Sequence, residues 1–147
     1  MKSRNVACLA VILALSPCIV QAHGDACANP FQTSGSIAIP VNYSGVTAQF
    51  AVPAGYRLQI EQVSANMRLP LNTDRADFQI GTTVGGNYAV HNLDVAEGFA
   101  ASDRKAFGPV TLYADKGSIV RIFISRIATN SPAGSATWAV TGCLYPA

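Results

Sequence analysis

Cys27 and Cys143 stand near the two ends of the chain that remains once a leader is removed, and a bridge between them would constrain everything in between. Lys2 and Arg4 open that leader, Val6 to Leu15 is an apolar run, and Val20-Gln21-Ala22 supplies the small residues that a signal peptidase reads. The run is interrupted by Pro17 and falls short of the roughly 20 apolar residues that span a bilayer, so residues 1–22 read as a signal peptide and not as an anchor. Cys8 and Cys18 leave with it, which makes Cys27–Cys143 the one possible pairing. Export to the periplasm or the extracellular space favours the disulfide. Its Cα atoms must approach to about 6 Å, so the first and last strands should be neighbours. Closing so long a loop is worth about 4 to 5 kcal/mol in the chain-entropy picture.

Cleavage also changes the charge. The full chain has ten Lys plus Arg against eight Asp plus Glu, and losing Lys2 and Arg4 leaves eight against eight. The remaining cations, Arg57, Arg68, Arg75, Arg104, Lys105, Lys116, Arg121 and Arg126, are dispersed among the carboxylates. No basic stripe exists to follow a phosphate backbone, which argues against a nucleic-acid partner.

Residues 23–147 suit a single domain, and their pattern is that of strands. YRLQIEQVSANM, from Tyr56 to Met67, places Leu58 and Ile60 on one face and then changes phase at Val63, Ala65 and Met67, which predicts a bulge near Glu61 and Gln62. Ser118 to Ile127 alternates cleanly, and Thr137 to Tyr145 puts Trp138, Val140 and Leu144 together with Cys143 on the opposite, outer face. Shorter strands are expected at Ile37 to Val41, Val46 to Val52, Ala76 to Val84, Tyr88 to Leu93 and Val110 to Ala114, with Gly-, Pro- and Ser-rich turns between them. About eight antiparallel strands indicate an all-β sandwich, with the jelly roll as a form that fits. Asp94 to Gly108 has no clear period and reads as a crossover or a functional loop.

VPAGYRLQIEQVSANMRLP, starting at Val52, VTLYADKGSIVRIFISR, starting at Val110, and the closing TWAVTGCLY resemble a widespread group of uncharacterised bacterial exported proteins that share VPAG-x-RL-x-IE-x-VSA and YAD-x-GS segments. The resemblance covers most of the domain, but its motifs describe strands and turns. It implies a bacterial β-sandwich and no activity.

Four chemistries are conceivable for such a domain. Cleavage after Ala22 would expose His23 as the new terminus, whose amine and ring, with His91, resemble the histidine brace that holds copper in exported β-sandwich proteins such as lytic polysaccharide monooxygenases and periplasmic copper carriers. Tyr43, Tyr56 and Tyr88 fall at expected strand ends, where aromatic faces beside polar groups suit a carbohydrate; each could equally be a tyrosine capping the rim of the core. Asp74 and Asp77 lack the spacing of a calcium loop and read as turn carboxylates. No nucleophile elbow accompanies His91 and Asp94, so no catalytic set is assigned. The sequence therefore reads as an exported binding or structural component, with copper binding and carbohydrate binding as alternatives, and with self-association as a further expectation because a near-neutral surface offers little mutual repulsion.

Overall fold

A computed structural model describes residues 27–70, 75–127 and 131–147. The expected signal peptide, His23 and Asp74 lie outside these residues. The chain runs through nine strands: β1 (Pro30–Ile39), β2 (Gly45–Ala51), β3 (Tyr56–Arg68), β4 (Ala76–Val84), β5 (Asn87–Leu93), β6 (Val95–Glu97), β7 (Asp103–Ala114), β8 (Ile119–Arg126) and β9 (Gly134–Pro146). They form two antiparallel sheets, one ordered β1-β9-β3-β7-β6 and the other β2-β8-β4-β5. β1, β9, β3 and β7 face β2, β8, β4 and β5, with the first and last strands adjacent, which is the strand order of a jelly roll. Tiny β6 is the one addition.

The sandwich closes because each strand presents an apolar row to the other sheet. Leu58, Ile60, Val63 and Met67 from β3 meet Phe78 and Ile80 from β4 and Val120, Ile122 and Ile124 from β8, all fully buried. Each such side chain contributes about 1.5 to 3 kcal/mol by leaving water. The phase change on β3 is a bulge, since the register shifts between Ile60 and Gln62 against both neighbours. Trp138 of β9 stacks on Phe50 of β2 at 6.0 Å, and Phe50 tilts against Phe31 of β1 at 5.7 Å. Gly35, opposite Trp138, leaves room for the indole: a Cβ there would lie 2.9 Å from its Cζ2. The β4–β5 hairpin turns through Gly85 and Gly86, whose φ values of 58° and 79° match the two-residue turn with both central residues left-handed.

Two segments differ from the sequence expectation. Asp94 to Gly108, expected as a crossover or loop, holds β6 and the first half of β7. Its alternation was inverted in size and polarity: Arg104, Ala106 and Gly108 point inward, whereas Phe107 is 69% exposed. β1 begins at Pro30, seven residues before the expected Ile37. Its inward row includes Thr33 and Gly35, too polar and too small to register as core, because Trp138 fills the space that Gly35 leaves.

The two ends of the sandwich are closed differently. At one end Cys27 and Cys143 are bridged, with Cα atoms 5.6 Å apart. Cys143 points to the outer side of its sheet yet is fully buried, and Leu144 N–H donates to Asn29 O at 2.9 Å alongside it. At the other end Arg126, 3% exposed, donates Nε to Tyr43 O at 2.9 Å, Nη1 to Pro132 O at 2.6 Å, and Nη2 to Pro40 O and Ser131 O at 3.0 and 3.1 Å. One guanidinium thus ties the β1–β2 turn to the β8–β9 connection. Arg104, also buried, donates to Ala101 O and Asp103 O in the β6–β7 turn.

Candidate functional site

The outer face of the five-stranded sheet follows from register. On β3 the outward row is Arg57, Gln59, Gln62, Ser64, Asn66 and Arg68, and direct neighbours in antiparallel strands share a face. Phe107, Ser64, Ala139 and Ser34 therefore form one row across four strands, and Lys105, Asn66, Thr137 and Ser36 form the next. Most of these side chains are short. They leave an open trough of about 680 Å³, walled on one side by Phe107 and Lys105 and lined by hydroxyls and one carboxamide. Alternation turns Gly35, Ala65, Ala106 and Trp138 into the sandwich, so their backbone floors the trough.

Farther along the same face, toward the disulfide, lies a second hollow of about 590 Å³. Tyr113 of β7 pairs with Gln59 of β3, and Tyr145 of β9 pairs with Arg57, so the two tyrosines stand on either side of β3 with Arg57 and Gln59 between them. Two strand spacings, about 10 Å, separate their strands. Tyr113 is 39% exposed and Tyr145 38%. The Arg57 guanidinium lies 4.9 Å from the Tyr113 ring centroid and its Nε is 3.6 Å from Asp115 Oδ1. These contacts hold the arginine across the tyrosine face while part of its fork stays open to solvent. Asp115 is itself fixed, since its carboxylate accepts from Gly85 N–H and its own N–H donates to Thr83 O.

The tyrosines singled out in the sequence are dispersed. Tyr43 is exposed in the β1–β2 turn at the arginine end; Tyr56 is half-buried at the start of β3, opposite Pro146 at the disulfide end. Tyr88 stands on the outer face of the four-stranded sheet, over Gly81 and with Arg121 5.7 Å from its ring centroid. They share no platform. His91 lies half-buried on β5 opposite Ile80, on the inward side of its sheet, and the His23 half of the copper pair is outside the described residues. Asp77 accepts a hydrogen bond from Gln79 Nε2 at 2.9 Å. Among the described residues no three His, Cys, Asp or Glu side chains gather in one place.

Sequence reasoning missed Tyr113, Tyr145 and Phe107. The signal for the first two was present, because once Leu112 and Leu144 are assigned inward, their neighbours must face out. Phe107 gave none, sitting in a segment whose period was masked by Arg104.

No family model matches the chain, and no curated protein matches it. Solved structures are similar in shape alone. A chain of the infectious bursal disease virus VP2 subviral particle aligns over 90% of this chain and 37% of its own, at 15% identity and a TM-score of 0.47. Dimeric latent PorU from Porphyromonas gingivalis aligns over 84% and 14%, at 7% identity and a TM-score of 0.41. The Gt strain structure of infectious bursal disease virus aligns over 94% and 45%, at 12% and 0.35. The chain spans less than half the length of each of these proteins.

Proposed function

We propose that this is an exported, non-catalytic binding protein that takes carbohydrate on the outer face of its five-stranded sheet. The observation that carries the reading is the placement of Tyr113 and Tyr145 on either side of Arg57 and Gln59. A sugar ring has an apolar C–H face and a rim of hydroxyls. Aromatic faces cover the first while a guanidinium and a carboxamide hydrogen-bond the second, and a few placed polar groups beside aromatic surface are what a small-molecule site requires. The trough at Phe107 repeats that chemistry on the same face, which suits a chain of several sugars over a single one. Export is supported by the leader pattern of residues 1–22 and by the disulfide, a bond that persists in oxidising compartments.

A glycan array probed with the secreted protein tests this. Retained glycans should lose about tenfold or more in affinity with Tyr145→Ala or Tyr113→Ala, the range for truncating an aromatic anchor. Tyr43→Ala should change nothing. An array blank across neutral and acidic glycans, or binding indifferent to both substitutions, would end the proposal.

A further inference from the structure

β5 is an edge of the four-stranded sheet, and edge strands present a row of backbone N–H and C=O groups with no neighbour to take them. Folded proteins guard such edges with charges, prolines, bulges or brevity. β5 has none of these: Asn87–Leu93 reads NYAVHNL, seven residues without Lys, Arg, Asp, Glu or proline, in unbroken register with β4. The β2 edge, GVTAQFA, is equally free of charge and proline and in unbroken register with β8, so it differs from β5 only in what it exposes, whereas the remaining two edges are guarded. β6 is three residues long, and β1 starts at Pro30 and is followed by Pro40. The outward rows of β1 and β2 carry Gln32, Ser34 and Ser36, and Thr47 and Gln49. Among the edge strands, β5 alone exposes large apolar side chains, Tyr88 at 44% and Val90 at 45%.

We infer that β5 pairs antiparallel with β5 of a second copy, joining two four-stranded sheets into one of eight strands. Symmetry fixes the register. Cross-strand partners must share a face, so a two-fold axis normal to the sheet has to pass through a residue that meets itself. Val90 is the middle of β5, and centring there pairs all seven residues. Val90 then meets Val90, and Tyr88 of each copy meets Asn92 of the other, giving an apolar pair on the outer face flanked on both sides by tyrosine and carboxamide. On the inward side His91 meets Ala89 and Asn87 meets Leu93. A second copy is the occupant favoured by charge. A charge at or beside the centre of a self-pairing edge would lie near its own copy, which destabilises the pair, and this strand holds no Lys, Arg, Asp or Glu.

The inference is independent of the carbohydrate reading, since β5 belongs to the other sheet. Sedimentation velocity of the secreted protein over a concentration series should show a monomer–dimer equilibrium. Val90→Lys, which places two ammonium groups on directly opposed positions, should weaken the dimer at least tenfold while circular dichroism stays unchanged. Val90→Cys should crosslink when its thiols are oxidised by dissolved oxygen, because directly opposed Cα atoms lie about 4.5 to 5.5 Å apart, within disulfide reach. Thr47→Cys on the β2 edge should stay uncrosslinked. A single monomeric species at every concentration together with an uncrosslinked Val90→Cys would overturn the proposal, as would Thr47→Cys crosslinking equally well.

Discussion

The two ends of the sandwich meet the same need, holding loops onto a core, by opposite means. At one end a covalent bond joins Cys27 to Cys143, and it holds whether or not the sheets are formed. At the other a buried guanidinium meets carbonyl oxygens of two chain segments, and those oxygens converge only in the folded state. The bridge therefore acts chiefly by restricting the unfolded chain. Arg126 acts within the native structure, where its charge is tolerated because four carbonyl dipoles replace the water it lost.

That contrast can be broken at several places. Replacing both cysteines by serine should give the largest loss, about 4 to 5 kcal/mol for a separation of 116 residues, measured by urea denaturation. Arg126→Ala should cost about 3 to 4 kcal/mol by the same measurement, since it strands buried carbonyls and opens a void. Arg126→Lys should recover only part of this, because an ammonium cannot reproduce the planar fork. The ends are far apart, so the triple variant should lose the sum of the two effects to within about 0.5 kcal/mol. A large departure from the sum would mean that the ends communicate through the sheets. Gly35→Val tests the middle of the molecule and should cost about 1 to 3 kcal/mol by crowding the Trp138 indole. Asp115→Ala removes the exposed ion pair with Arg57 and should register the least. That pair alone is worth under about 1 kcal/mol, and a larger effect would point to the turn contacts that Asp115 makes.

The asymmetry also explains what could be read from the residues. The disulfide was legible because, of the four cysteines, the expected leader accounts for Cys8 and Cys18 and the two others allow one pairing, and the strands of the core were legible wherever inward residues were large and apolar, as on β3 and β8. The bulge at Glu61 and Gln62 followed from a change of phase within a single strand. Legibility failed where burial was achieved by other means. Arg104 and Arg126 appear in the sequence as dispersed surface charge, and nothing local tells that their partners are carbonyls brought from distant turns. The first half of β7 was hidden for the same reason, with an arginine facing in and Phe107 facing out. The binding face was half legible. Strand alternation marks Tyr113 and Tyr145 as outward, but their placement across β3 depends on strand order, which the sequence constrains only through the cysteines.

The bridge has a mechanical consequence. Cys27 enters and Cys143 leaves at one end of the sandwich, 5.6 Å apart, with every strand but the last residues of β9 held in the loop between them. A pulling force applied through the two flanking segments would load only the short stretch of the β9–β3 ladder beyond Cys143, Leu144 to Pro146, before crossing from one sulfur to the other. Under tension the looped part of the domain would behave as a short inextensible link, keeping its far loops and the four-stranded sheet undistorted, while Tyr145, outside the loop, would be the first part of the outer face to feel the load.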